Sequence, residues 1–337
     1  MVLQTEFAQI KGNDLYIDDV KATDLVKQYG SPLYVMSEGH IRKQFNTLKT
    51  KMIDKYENTL PLFASKSFSC KAIYKLAMEY GVGIDCVSAG EISVALKAGF
   101  DPKKIYFHGN NKFPSEIQYA LENGVENFVI DNFYEIELVE EIASKLNVMV
   151  NGLVRITPGV YAGGHDYIRV GAKDTKFGFS SHDNTYLKAI KKVIDAPHIN
   201  FDGIHCHVGS QAYVLAMNKF VDIAYEIYDI FGIVINKLNA GGGFGIQYTA
   251  SDHPLEFDDV VSTIMDIIYK GFDKRDMKRP MVLVEPGRYC VGNAGITLYT
   301  VGSYKYIRDI RDYISVDGGM TDNIRSSLYN AKYDAVI

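Results

Sequence analysis

Along most of this chain, short apolar runs alternate with longer segments whose apolar positions recur every three or four residues, and the alternation can be counted. LPLFAS (60–65) precedes CKAIYKLAMEYG, and GIDCVSA (83–89) precedes GEISVALKAGF. KIYFHG (104–109) is followed by PSEIQYALENG, and NFVIDN (127–132) by FYEIELVEEIASKL. GLVRITPG (152–159) leads through a long irregular stretch to NTYLKAIKKVIDA, and FDGIHCHVG (201–209) leads to LAMNKFVDIAYEIYDIFG. INKLNAGGG (235–243) precedes LEFDDVVSTIMDIIYKGF, and PMVLVEPGRYCV (280–291) closes the series. The first pattern predicts strands and the second amphipathic helices. Alternating units of this kind pair their strands in parallel, and eight of them over about 250 residues is the size of a TIM (β/α)8 barrel. An open doubly wound sheet is the alternative; a count that closes at eight favours the barrel.

The flanks break the repeat. YIRDIRDYISVDGG, beyond residue 302, reads as extended structure, and residues 1–30 precede the first unit. The expected organisation is a barrel over 31–292 with a smaller β-rich domain built from both chain ends, 1–30 and 293–337. No low-complexity or Pro/Ser-rich linker interrupts the chain.

Composition narrows the chemistry. The 337 residues are 47% hydrophobic and 23% charged, ordinary globular values with length for a sizeable core. A net charge of −5 and a pI near 5.9 supply no basic field for nucleic acid or an anionic membrane, which leaves a small-molecule substrate as the default. The sequence has no apolar run long enough to span a bilayer, and the start MVLQTEFAQIKGNDL lacks a basic n-region followed by an apolar h-region, so a cytoplasmic location is expected. Cys70, Cys86, Cys206 and Cys290 are scattered and read as reduced thiols.

Barrel sites gather at the C-terminal ends of the strands. Those positions hold Lys66, Asp85, His108, Arg155, His207, the triplet Gly241, Gly242, Gly243, and Glu285. Each alone has an ordinary explanation as a snorkelled lysine, a paired carboxylate, a core histidine or a tight turn. Together they are costly to bury without a ligand. The glycines of AGGGFG, followed on the next strand by EPGR, occupy the region where many barrels bind phosphate; close packing at a turn is the plainer alternative. A lysine whose pKa is lowered by desolvation can form a Schiff base with an aldehyde. The aldehyde that also carries a phosphate is pyridoxal 5′-phosphate, whose ring nitrogen needs an acid, and Glu285 is placed for it. A rival is zinc: His205 and His207, two apart on a strand, leave the same face. Metal-dependent barrel hydrolases carry such a pair on the first strand with later histidines, which this chain lacks at its later strand ends.

FASKSF (63–68), HCHVGSQ (205–211), NAGGGFG, EPGR and VDGGMTDNIRSSLYNAKYDA together resemble the fold type III, alanine-racemase-like pyridoxal-phosphate decarboxylases, and among them the diaminopimelate decarboxylase branch, from about residue 10 onward. The resemblance implies that Lys66 holds the cofactor, that His207 lies against the ring face and that Glu285 pairs with the ring nitrogen. It further implies that Ser210, the Gly241–Gly243 triplet and the backbone of Glu285, Pro286, Gly287 and Arg288 hold the phosphate, with Asp85 and Arg155 orienting these parts. Arg288, Arg325 and Tyr329 would grip the substrate carboxylate that does not react, as the forked guanidinium suits a carboxylate. GVYAGGHDYIRVGAKDTKFGF reads as a lid over the barrel mouth, a plain surface loop being the alternative.

The implied activity is decarboxylation of meso-2,6-diaminopimelate to L-lysine and carbon dioxide, the last step of bacterial lysine synthesis. Alternatives are a same-fold decarboxylase of ornithine, arginine or carboxynorspermidine, and a non-catalytic regulator of the same fold; retained Lys66 and Glu285 argue against the regulator. Relatives of this kind continue into a CESGD-like segment and a late tyrosine that complete the site across a homodimer. Neither occurs before Ile337, so an incomplete β-domain is expected.

Overall fold

The computed structural model describes residues 5–160, 175–208 and 212–337. Eight parallel strands, β1 (Thr59–Ala64), β2 (Gly83–Cys86), β3 (Ile105–Phe107), β4 (Asn127–Ile130), β5 (Val150–Thr157), β6 (Ile199–His205), β7 (Lys237–Asn239) and β8 (Met281–Val284), close on themselves, since β8 pairs with β1. The added strand Phe179–Ser180 extends β5. The predicted barrel is present, and the open sheet is excluded by that closure.

Between the strands run α1 (Lys71–Glu79), α2 (Ala89–Lys97), α3 (Pro114–Glu122), α4 (Phe133–Leu146), α5 (Thr185–Asp195), α6 (Tyr213–Phe231) and α7 (Phe257–Lys274). Several begin within a few residues of a strand because the chain caps them at once. Ser88 accepts from the Glu91 N–H while the Glu91 carboxylate accepts from the Val87 N–H, and Asn132 and Glu135 repeat the exchange with Asp131 at the head of α4. Such reciprocal caps fix the direction of the chain just past the strand ends, where function lies. Inside the barrel, Leu62, Tyr106, Val129, Leu153 and Leu283 form one buried layer.

Strand boundaries differ from the sequence reading by a few residues, and two of the differences bear on the site. The last predicted strand stops at Val284 and re-forms as the short helix α8 (Arg288–Val291). Strand β6 stops at His205, so His207 lies beyond its hydrogen-bonded end.

Contacts divide the chain into two units, one of Phe45–Gly245 and Leu255–Tyr289 and the other of Met1–Gln44, Ile246–Pro254 and Cys290–Ile337. The second unit is rich in strands: a three-stranded antiparallel sheet (Ala8–Lys11, Asp14–Ile17, Val20–Lys21), the pair Leu33–Met36 with Gly295–Leu298, and the hairpin Val301–Ile307 with Arg311–Val316. Its core joins Phe7, Ala8, Ile17 and Ala22 to Val35, Ile296 and Leu298, so both chain ends build one apolar cluster. Among the described residues no helix is long and apolar enough to cross a membrane.

Candidate active site

Lys66 occupies a 3-10 turn, Ser65–Ser67, directly after β1. Its Nζ donates to Asp85 Oδ2 at 3.4 Å, and although half its side chain (51%) is open to solvent, Asp85 is fully buried. The Asp85 carboxylate, opposed by burial and assisted by Glu285, holds the Lys66 pKa above its ordinary value. This corrects the expectation of a desolvation-lowered lysine: a buried anion outweighs the lost solvent. Burial in turn pushes Asp85 up to about 7, against the pull of Lys66.

Glu285 follows β8 and stands at the centre of a polar cluster. Its Oε1 accepts from Asn239 Nδ2 at 2.8 Å and lies 3.1 Å from His205 Nε2 and 3.3 Å from His108 Nε2; Oε2 lies 3.6 Å from His207 Nδ1. Burial opposes charge on Glu285, but the imidazoles of His108, His205 and His207 more than offset it and hold the carboxyl well below the usual range. Burial lowers all three imidazoles, His207 to about 4. They are therefore neutral near pH 7, and the cluster presents an anion at Glu285 that accepts from the Asn239 amide.

Several buried polar atoms lack hydrogen-bond partners: Asp85 Oδ1, His108 Nε2 and both ring nitrogens of His205. The histidines are close to Glu285, yet their angles are not those of hydrogen bonds. The His108 and His205 rings meet edge to face, with centroids 5.1 Å apart. His108, His205 and Glu285 bring donor atoms within 4.8 Å of one another, a spacing that also suits a metal ion, but this grouping joins His205 to His108 rather than to the HxH partner His207.

The glycines after β7 are required by close approach. Gly241 has φ +72°, and a Cβ there would lie 2.2 Å from the Cys206 carbonyl; at Gly242 it would lie 2.4 Å from the Glu285 carbonyl. The first two glycines thus do the packing that the plainer alternative named. The Gly241 N–H is taken by Asn239 Oδ1 at 2.9 Å, and the Gly242 N–H faces His207 Nδ1 at 3.4 Å. Tyr213, on α6, donates its hydroxyl to the Gly242 carbonyl at 2.7 Å. Across a trans peptide the Gly243 N–H points away from that carbonyl.

Arg155 lies with Nε 3.9 Å from Asp131 Oδ1 and its guanidinium 4.4 Å from the Phe177 ring centroid. Asp131 accepts from the Gly178 N–H at 2.9 Å and so anchors the chain where the irregular segment rejoins the barrel. Pro286 accepts from the Ala64 N–H at 3.3 Å, tying the end of β8 to the end of β1, and Gly287 packs against Ala64 and Ser67. Arg288 is exposed at the start of α8. Arg325 and Tyr329 belong to the other unit, on the short helix Arg325–Tyr329, where the guanidinium lies 5.6 Å from the Tyr329 ring and its Nε donates to the Tyr333 hydroxyl at 3.0 Å. Ser210 and most of the expected lid, 161–174, lie outside the described residues.

Sequence reasoning missed Asn239, Asp131 and Tyr213. Asn239 carried a signal, a polar residue ending an apolar strand two positions before the glycine triplet, as did Asp131 just past β4.

A lysine at the mouth, a buried acid, a turn too tight for any Cβ and unsatisfied polar atoms fit pyridoxal phosphate. Known proteins agree. The family described as "Pyridoxal-dependent decarboxylase, pyridoxal binding domain" matches residues 38–292. Diaminopimelate decarboxylase of Bacillus subtilis is 42% identical over 340 residues, covering 99% of this chain and 77% of that protein; the enzyme of Bacillus methanolicus is 42% identical over 328 residues, covering 96% and 76%. The crystal structure of diaminopimelate decarboxylase from M. jannaschii in co-complex with L-lysine superimposes with a TM-score of 0.90 at 32% identity, covering 99% of this chain and 78% of that one. Identity of this order along nearly the whole chain, over a barrel whose mouth suits the cofactor, establishes that the chain belongs to the pyridoxal-dependent decarboxylases, in the diaminopimelate decarboxylase family.

Proposed function

We propose that the chain decarboxylates meso-2,6-diaminopimelate to L-lysine and carbon dioxide using pyridoxal 5′-phosphate. The carrying observation is Lys66 at the strand-end mouth, 3.4 Å from buried Asp85 and facing the electrostatic cluster of Glu285. When bound, the cofactor supplies a protonated pyridine ring that takes up the electron pair left as carbon dioxide departs. Lys66 Nζ is the amine that holds it. Asp85 accepts from Lys66 Nζ at Oδ2 and would orient the amine toward the cofactor's aldehyde carbon. Glu285, kept anionic, would hold a proton on the ring nitrogen, and His207 would lie against the ring face. Gly243, with its neighbours Gly241 and Gly242, and the backbone from Pro286 to Arg288 would hold the phosphate. Arg155 steadies the mouth through Asp131.

Arg288, Arg325 and Tyr329 recognise the distal carboxylate, whose amino-acid head distinguishes diaminopimelate from ornithine. The working form is a cytoplasmic homodimer with shared sites. Incubation with meso-2,6-diaminopimelate and pyridoxal phosphate tests the reading: carbon dioxide and L-lysine should appear in equal amounts. Preference for ornithine or arginine, or no carbon dioxide at all, contradicts it.

A further inference from the structure

Asn239 is fully buried at the last position of β7, between two parts of the site that lie far apart in sequence. Its Oδ1 accepts from the Gly241 N–H at 2.9 Å, and its Nδ2 donates to Glu285 Oε1 at 2.8 Å. The amide cannot be turned over. A backbone N–H needs an acceptor, so the carboxamide oxygen faces Gly241 and only the NH2 group is left for the acid. That group requires an acceptor in turn, which favours the ionised state of Glu285. The backbone joins the same pieces from the other side, since the Glu285 N–H donates to the Gly241 carbonyl at 2.8 Å. Tyr213 fixes the next peptide through the Gly242 carbonyl.

We propose that Asn239 is a positioning residue that couples the ring-nitrogen acid Glu285 to the phosphate-side turn Gly241–Gly243, so that one side chain sets both the ionisation of the acid and the conformation of the turn. The proposal rests on the reading of this mouth as the pyridoxal phosphate site. It deepens that reading, because it adds a side-chain link, and with it control of the charge on Glu285, to the backbone link between the two ends of the cofactor site.

Asparagine performs two opposite tasks, and substitutions separate them. In Asn239→Asp the carboxyl accepts from the Gly241 N–H in either protonation state, but it donates to Glu285 only while protonated. Asn239 touches Glu285 directly, and the titratable groups gathered around Glu285 are His205 at the end of β6, His207 beyond it, His108 after β3, Asp85 on β2 and Lys66 after β1. With Glu285 adjacent, the introduced carboxyl titrates high. The ratio of Asn239→Asp turnover to wild-type turnover should therefore be highest near about pH 6 and fall toward about pH 9, while the dissociation constant for pyridoxal phosphate near about pH 6 stays within about threefold of wild type. Asn239→Ala removes both bonds, and its dissociation constant should rise by about tenfold or more with no new pH-dependent limb.

The test titrates pyridoxal phosphate into wild type and both variants and follows turnover against pH. A flat Asn239→Asp ratio across that range, or wild-type cofactor affinity in Asn239→Ala, overturns the coupling while the site reading stands. If the alanine variant does not fold, the aspartate ratio alone decides. Failure of wild type itself to bind pyridoxal phosphate overturns the site reading and the inference with it.

Discussion

The barrel sets lysines at its two ends in quite different surroundings. Lys237, at the N-terminal end of β7, donates to Asp202 Oδ2 at 2.6 Å and to Asn127 Oδ1 at 3.0 Å, with the Tyr106 ring 5.3 Å away. Asp202 also accepts from Asn236 at 3.2 Å, and Asn127 donates to the Lys103 carbonyl at 2.9 Å. At this end the polar groups are paired and the cluster is complete. At the other end Lys66 has one long bond to Asp85, and Asp85, His108 and His205 keep unsatisfied buried atoms. Unpaired buried polar groups are expensive, so an end that tolerates them is built for something that arrives later. The same residue types thus make a structural plug at one end and a reactive site at the other, and completeness of hydrogen bonding tells them apart.

The contrast predicts which substitutions remove activity and which remove stability. Lys66→Ala should bring decarboxylation down to background at a smaller cost in stability than Lys237→Ala, because Asp85, which already titrates near 7, can take up a proton when left alone, as an assay paired with a thermal melt will show. Glu285→Gln should cut turnover by about 10²- to 10⁴-fold while pyridoxal phosphate affinity changes far less, which steady-state kinetics beside a cofactor titration will separate. Lys237→Ala should do the reverse. It strands the buried Asp202 carboxylate and should cost about 3 to 5 kcal/mol in denaturant unfolding, with per-molecule turnover retained at temperatures where the variant is folded.

Arg325→Ala should raise the Michaelis constant for diaminopimelate by an amount equivalent to about 1.5 to 3 kcal/mol, the value of a hydrogen bond to a charged group. An unchanged Michaelis constant would remove Arg325 from the substrate site. The smallest effect concerns pH. Asp85 has a folded pKa near 7 against an ordinary 3.8, so the folded protein binds the extra proton and loses stability as pH rises through that interval. His207, lowered to about 4 from 6.5, has the opposite sign and costs stability as pH falls from 6.5 toward 4. Asp85→Asn should therefore raise the melting temperature of the cofactor-free protein at about pH 8, by about 2 to 4 °C per kcal/mol recovered, and leave it nearly unchanged at about pH 4. Equal shifts at both pH values would contradict the assigned ionisation.

Periodicity made the barrel legible because each strand and helix is specified locally, by runs and repeats within a dozen residues. That Lys66, Asp85, His207 and Glu285 gather at one mouth was legible because the fold then states which ends of those strands converge. The Lys66 pKa was misjudged because its controlling partner, Asp85, lies on another strand and only folding brings the two to 3.4 Å. Asn239 was overlooked since a single asparagine before glycines looks like turn chemistry; its bond to Glu285 spans 46 positions of sequence. Strand ends were the least legible feature. Nothing in PMVLVEPGRYCV marks Val284 as the last paired residue apart from the EPG that follows, and the helix beyond it, Arg288–Val291, is a single turn.

The distinction between a completed and an open lysine cluster is tested most directly by asking which lysine carries the cofactor. The protein is loaded with pyridoxal phosphate, reduced with borohydride, digested and mapped by mass spectrometry. The pyridoxyl group should be found on Lys66. Its recovery on Lys237, or distributed among surface lysines with Lys66 unmodified, would contradict the account.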